Sequence, residues 1–185
     1  MSEKFEGLRD KLFLDSDDLK RFRQVVVNVV LATDIFDKEL NGRREARWEQ
    51  AFSPKDTETI AAEDRRNPLR ATIFIEHIIQ ASDVSHTMQH WHIYQKWNRH
   101  LFYEMSLAYE DGRIPSDPAS FWYEGELKFF DNYIIPLSLK LKECGVFGVS
   151  SDECYNYAVR NREEWRERGI AIVAELKVAR TTSIL

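Results

Sequence analysis

Histidines and one aspartate near the middle of the chain are the side chains best suited to chemistry. Four of the five histidines cluster with Asp83 between a predicted loop and the start of a predicted helix. His86 and His90 stand four residues apart, which is the spacing of two zinc ligands on one helical face. Because there is no His-Glu-x-x-His motif and no third ligand at a defined offset, the pattern favours surface histidines over a zinc site.

Asp83 ends an apolar helical segment, where a carboxylate needs a partner. Such an acid must cap the helix, pair with a cation or bind a metal, because an unpaired carboxylate near a core costs several kcal/mol. The spacing alone leaves capping and metal binding open.

Composition narrows the classes of partner. The 185 residues carry a formal net charge of −5, which argues against a surface that binds the phosphate backbone of nucleic acid. No segment approaches the roughly 18 apolar residues that span a bilayer, and the N-terminus lacks the apolar core of a signal peptide. Two cysteines without a Cys-x-x-Cys motif fit a reduced compartment. We therefore expect a cytoplasmic protein with no nucleic-acid partner and no membrane insertion.

The elements that must position these residues are helices. Glycine and proline are scarce, no strand pattern is visible, and apolar residues recur every three or four positions. These features predict an all-α, compact multi-helix bundle of roughly six helices. The expected helices cover 16–40, 43–52, 67–82, 91–111, 117–144 with a kink at Pro136, and 150–168 before Gly169, with a loosely docked helix at 170–185.

Three ordered sequence blocks resemble the catalytic domain of class I 3',5'-cyclic nucleotide phosphodiesterases. The first is Val30-Leu-Ala-Thr-Asp34, and the second is Ile79-Gln-Ala-Ser-Asp-Val-Ser-His86 followed by Tyr94-x-x-Trp97. The third is Phe129-Phe-Asp-x-Tyr-Ile-Ile-Pro-Leu137. Two further phrases, His-Trp-His-Ile-Tyr and Glu-Cys-Gly-Val-Phe-Gly-Val-Ser-Ser-Asp-Glu-Cys, are similar to the protist and algal branch of that family.

The resemblance implies roles for individual residues. Asp83 matches the aspartate that ligates the more buried, zinc-type ion. Thr33 matches a position that contacts a magnesium-type ion through water. Asp34 follows it and is expected to orient the groups around that ion. Phe129 matches the aromatic residue that stacks on the base, and Leu101 matches the aliphatic residue on the other face of the base.

Two positions and a whole set of residues depart from the family pattern. Glu126 stands where the family has its purine-reading glutamine, and His86 stands where it has an asparagine that helps hold the base. The general-acid histidine, two metal-binding histidines and the His-Asp pair of the family's upstream half have no match here. The resemblance therefore implies no catalytic residue within this chain, and an incomplete site for the two divalent metals.

The chain accordingly resembles the C-terminal half of a phosphodiesterase domain. We expect an extension at 1–15, a partial catalytic domain at 16–168 and a tail at 169–185. The expected function is hydrolysis of 3',5'-cyclic nucleotides to 5'-nucleotides in signal transduction, with cGMP favoured over cAMP because a carboxylate at Glu126 suits the donors of guanine. The alternative is a catalytically incomplete helical fragment or pseudo-enzyme that acts as an interaction module.

The expected partners are a cyclic nucleotide and either a missing N-terminal half or a second copy bound through helix 16–40. An apolar face on that helix should then be exposed. The resemblance leaves open the attachment of a longer protein to a membrane through segments outside this chain.

Overall fold

A computed structural model describes residues 6–13, 15–35, 38–52, 60–145, 147–150 and 152–183. Within these ranges the regular elements are helical and none is a strand, which confirms the predicted all-α class. The chain divides into two compact units, Met1–Gln80 and Ala81–Leu185. The α-helices are α1 (Glu6–Leu12), α2 (Ser16–Ala32), α3 (Lys38–Phe52), α4 (Ile60–Asp83), α5 (Trp91–Glu110), α6 (Trp122–Phe129), α7 (Ile135–Glu143) and α8 (Glu153–Ser183).

Helix α2 begins as predicted but ends eight residues early. The Asp15 carboxylate caps its first turn by accepting from the backbone N–H groups of Asp17 and Asp18. The prediction that this helix reaches residue 40 was wrong, since α2 ends at Ala32 and α3 has started by Lys38. The Arg44 side chain donates to the carbonyl oxygens of residues 31 and 34, so a distant cation satisfies groups that a further helical turn would otherwise use.

Helices α3 and α4 are joined in the first unit by polar contacts. Arg47 donates to both carboxylate oxygens of buried Glu76, at 3.0 and 3.1 Å. Arg70 Nε donates to the carbonyl oxygen of Ala51 at 2.7 Å. Helix α4 starts at Ile60 and contains Pro68, so the predicted start at Asn67-Pro68 was wrong. Residues 53–59 lie outside the described part.

Several apolar side chains of α2 are exposed although the helix is apolar along one stripe. Their exposed fractions range from 43% to 63%. The exposed apolar residues are Phe22, Val26, Val27, Val30 and Leu31.

No described helix combines the length and the apolar character that crossing a membrane requires.

The core of the second unit is built from aromatic side chains. Tyr94, Phe102, Phe130 and Trp165 are fully buried. The Tyr94 ring meets Phe130 and Trp165 edge to face, at centroid distances of 5.3 and 5.9 Å. These rings hold α5 and α8 against the segment that follows α6.

Helix α8 continues through the glycine that was predicted to end it. Gly169 is buried inside the helix, and a Cβ atom there would lie 2.8 Å from Tyr123 Cδ2 and 2.9 Å from Trp165 Cε2. Close packing, and not chain reversal, therefore explains this glycine. The segment after it is helical as predicted, but the prediction that it docks loosely was wrong, because Val173 and Leu176 are buried in the core of the second unit.

The predicted helix from Asp117 to Cys144 is divided into four pieces. A 3₁₀ turn (Pro118–Ser120) precedes α6, and a π-helical segment (Phe130–Ile134) separates α6 from α7. The wider turn comes directly before Pro136, whose nitrogen cannot donate a hydrogen bond to the preceding turn. The predicted kink at Pro136 stays a prediction, and it lies two residues after the end of the π-helical segment.

Candidate functional site

Two pairs of polar side chains, each spaced i,i+4, meet in the core of the second unit. Tyr94 and Asn98 lie on α5, and Trp122 and Glu126 lie on α6. All four residues are at most 9% exposed. A carboxyl group this deep is uncommon, because its charged form loses hydration.

Hydrogen bonds join the four side chains into one row. The Trp122 indole Nε1 donates to Asn98 Oδ1 at 3.1 Å. Asn98 Nδ2 donates to the Tyr94 hydroxyl at 3.3 Å, and that hydroxyl donates to Glu126 Oε2 at 2.7 Å. We call this arrangement the Glu126 row.

The electrostatics of the row are set mainly by burial. Burial raises the pKa of the Glu126 carboxyl, while hydrogen bonds from Tyr94 and Asn98 partly oppose that rise. Burial and the neighbouring Glu126 raise the pKa of the Tyr94 hydroxyl well above its ordinary value. Tyr94 therefore keeps its proton and remains a donor to the carboxyl group.

His86 lies in a 3₁₀ turn (Ser85–Met88) that α8 holds in place. Buried Asn161 donates through Nδ2 to the carbonyl oxygens of Thr87 and Gln89, at 2.9 and 2.8 Å. Burial lowers the pKa of the His86 imidazole, which favours its neutral form. Its ring centroid lies 6.3 Å from that of Trp97, which is 52% exposed.

Histidine spacing does not produce a metal site in the described part of the chain. His86 belongs to the 3₁₀ turn, whereas His90 precedes α5 and its Nε2 lies 3.1 Å from the Tyr157 hydroxyl. No group of three His, Cys, Asp or Glu side chains that could hold a metal occurs among the described residues. His90 is exposed and His86 is half-buried, so the two side chains lie in different surroundings.

Comparison with known proteins decides the family. A family model described as 3'5'-cyclic nucleotide phosphodiesterase matches residues 7–142, which is most of the chain. The chain belongs to the 3',5'-cyclic nucleotide phosphodiesterase family. No curated protein and no solved structure matches it significantly.

Members of this phosphodiesterase family are phosphodiester hydrolases that use divalent metals. The described residues do not fit a complete metal centre. Asp83 is an exposed carboxylate at the end of α4, and it has no companion set of ligands within the described ranges. Thr33 and Asp34 belong to the first unit and Asp83 to the second, so a shared site remains a prediction.

The structure shows fewer contacts for the predicted base-binding residues Leu101 and Phe129 than for the Glu126 row. Leu101 is 42% exposed on α5, and Phe129 ends α6 with its ring stacked on Tyr133 at 5.5 Å. Their action as two walls around a base remains a prediction. Asp131 pairs with Arg162 of α8 through two hydrogen bonds of 2.9 Å, so it ties the π-helical segment to a neighbouring helix.

Sequence reasoning missed three members of the Glu126 row. Trp122, Tyr94 and Asn98 were not among the candidate site residues named from the sequence. The signal that could have found them is the pair of i,i+4 spacings, which puts Tyr94 with Asn98 and Trp122 with Glu126. Four hydrogen-bonding side chains on apolar helix faces must find partners, and the nearest partners are one another.

Proposed function

We propose that this chain is the base-reading part of a phosphodiesterase that hydrolyses 3',5'-cyclic nucleotides to 5'-nucleotides in signal transduction, with cGMP preferred over cAMP. The family match supports the reaction class. The observation that carries the base preference is Glu126, a buried carboxyl held by Tyr94 at the position of the family's purine-reading glutamine. The protist and algal branch remains part of the proposal.

The preference for guanine follows from the donors that a carboxylate can accept. An ionised Glu126 only accepts hydrogen bonds, and guanine offers two adjacent donors, N1–H and the N2 amino group. Adenine offers one amino donor next to the N1 lone pair, which repels a carboxylate. A neutral His86 still carries one ring N–H, which donates to O6 of guanine in this proposal. Phe129 and Leu101 are the proposed apolar walls of the base site.

The metal-binding part of the proposal rests on few residues. Asp83 is the proposed ligand of a zinc-type ion. Thr33 is proposed to contact a magnesium-type ion through water, and Asp34 to orient the groups around that ion. One carboxylate cannot hold two ions, and the described residues supply no further set. We therefore expect weak binding of divalent metals by this chain and no measurable hydrolysis.

A second candidate function is an interaction module without activity. The exposed apolar side chains of α2 favour it, because exposed patches of this kind often mark interfaces. In the phosphodiesterase proposal, the partner at that face is the N-terminal half of the catalytic domain, and a second copy is the alternative. The free cysteines Cys144 and Cys154 support the proposed cytoplasmic location, where thiols stay reduced.

Titration of the 185-residue chain with cGMP and with cAMP tests the proposal. Calorimetry should give a dissociation constant about tenfold lower for cGMP. Phosphorus NMR with added Zn²⁺ and Mg²⁺ should show no conversion to 5'-nucleotide. Binding of neither nucleotide would favour the interaction module. Turnover that Asp83→Ala abolishes would show that the chain is catalytically complete, against our expectation.

A further inference from the structure

A small cavity between α2, α3 and α4 of the first unit is lined by more positive than negative charge. Its volume is about 150 Å³, and the described residues that line it include three arginines and one glutamate, namely Arg43, Arg44, Arg47 and Glu76. This lining carries an excess of positive charge, although the chain as a whole has a formal net charge of −5. Positive charge gathered in a concave site of low dielectric attracts anions.

Contacts inside the first unit hold two of these arginines in place. Arg44 donates to the carbonyl oxygens of Leu31 and Asp34 at the end of α2, so its guanidinium group is fixed beside the cavity. Arg47 contacts Glu76 through Nη1, at 3.0 and 3.1 Å from the two carboxylate oxygens. An arginine carries N–H donors on three nitrogens, so the contacts with Glu76 use only one of them.

Arg43 and Asn28 line the same cavity. Arg43 pairs with Glu39 one turn earlier on α3, and because the two side chains are 71% and 76% exposed, solvent screens this pair. Asn28 Oδ1 accepts from Gln24 Nε2 at 2.9 Å, so the amide nitrogen of Asn28 faces the other way as a donor. An anion in the cavity therefore meets donors from α2 as well as from α3.

We propose that this cavity binds a phosphate group, either as inorganic phosphate or as the phosphate of a small monoester. Planar guanidinium groups match the oxygens of phosphate in pairs, and several of them around one space suit a tetrahedral dianion. A volume of about 150 Å³ equals that of about five water molecules, which has room for a tetrahedral oxyanion but not for a nucleoside. The cavity shares no residue with the proposed base site, so this proposal does not depend on the proposed function.

Glu76 limits how strongly the cavity attracts an anion. Its side chain is buried in the lining and faces Arg47. A carboxylate there repels phosphate and occupies part of one guanidinium group. Removing the charge of Glu76 should therefore tighten phosphate binding, whereas removing an arginine should weaken it. These opposite signs separate an anion site from an ion pair that only supports the fold.

Titration of the full 185-residue chain with inorganic phosphate, at constant ionic strength and followed by calorimetry, tests the proposal. We expect saturable binding at one site. Arg43→Gln should raise the dissociation constant about tenfold, because it removes a charge-assisted contact. Glu76→Gln should lower the dissociation constant about tenfold, since the amide still accepts from Arg47 but carries no charge. If Glu76→Gln does not fold, Arg43→Gln decides the question, because it changes an exposed side chain.

The matched control is Arg113→Gln, which removes an exposed arginine of the second unit and changes the net charge by the same amount as Arg43→Gln. It should leave the dissociation constant unchanged. The side-chain amide resonances of Asn28 should also shift when phosphate is added. No saturable binding, an equal loss in both arginine variants, or no change in Arg43→Gln would overturn the proposal.

Glycerol phosphate, used in place of inorganic phosphate, identifies the source of the bound group. Binding of both compounds with the same response to Arg43→Gln would show that the cavity accepts phosphate carried by a small molecule. Binding of inorganic phosphate alone would show that it holds the free ion. Displacement of phosphate by chloride at equal ionic strength would overturn the proposal, because it would reveal a general attraction for anions.

Discussion

At the scale of single residues, Glu126 is the most unusual group in the described part of the chain. It is 9% exposed, and among the described residues its hydrogen-bond partners are neutral side chains and no cation pairs with it. Neutral donors stabilise a carboxylate less than a salt bridge does, so its charge remains unfavourable in the fold. The stability of the protein should therefore respond to the ionisation of this one group.

The first prediction concerns Glu126→Gln and pH. Burial raises the pKa of Glu126 in the folded state, so the stability that this group contributes is fully present below its unfolded pKa. That contribution is lost as pH rises through the folded pKa. We expect Glu126→Gln to be more stable than the unmodified protein at neutral pH, with the difference shrinking as pH falls toward about 4. Urea unfolding across this range measures it.

Glu124→Gln is the matched control for that measurement. It removes an exposed carboxyl group from the same helix and should give no comparable gain at neutral pH. The same pH dependence of unfolding free energy in Glu126→Gln and in the unmodified protein would contradict the prediction.

At the scale of elements, two helical glycines show how packing decides what a residue does. Gly169 in α8 faces the rings of Tyr123 and Trp165, whereas a Cβ atom added at Gly42 in α3 would meet nothing within 4 Å. The two positions carry the same residue in the same secondary structure. Their substitutions should therefore have opposite signs.

The second prediction is this pair of alanine substitutions. Gly169→Ala should lower the free energy of unfolding by about 1 to 3 kcal/mol, because core rings must move. Gly42→Ala should raise it by about 0.5 to 1 kcal/mol, because alanine is the better helix former. Urea unfolding measures both. Equal effects of the two substitutions would mean that the close contact at Gly169 is absent.

The third prediction concerns the attachment of the 3₁₀ turn to α8. Asn161→Ala removes two donors and leaves the carbonyl oxygens of Thr87 and Gln89 unpaired, which should cost about 2 kcal/mol of unfolding free energy. The proton resonances of His86 should shift as well, because the turn that carries it is released. A stability loss below about 0.5 kcal/mol would show that Asn161 is not a structural anchor.

The same elements show what periodicity could and could not predict. Apolar spacing predicted α5 and most of α2, because it follows the 3.6-residue period of a helix. It could not predict the end of α2, since Arg44, which caps its carbonyl oxygens, comes from the next helix. A helix end was also predicted before Gly169, because the sequence does not distinguish a glycine required for close packing from a glycine required for a turn.

At the scale of the whole molecule, the sequence predicted the family. It did not predict which side chains contact one another. The blocks around Thr33, Asp83 and Phe129 pointed to the family that the comparison confirms. Glu126 was named from the sequence as the base-reading residue, and that role stays a prediction. Its partners Tyr94 and Asn98 were not named, since they depend on how α5 and α6 pack. The predicted domain boundaries and the metal roles stay predictions.

The central claim is that Glu126 reads the base of a cyclic nucleotide. Calorimetric titration of the 185-residue chain and of Glu126→Gln with cGMP and cAMP at neutral pH tests it most directly. We predict that the ratio of the two dissociation constants favours cGMP by about tenfold in the unmodified chain, worth roughly 1.4 kcal/mol, and falls close to one in Glu126→Gln. The same ratio in both proteins would contradict the account.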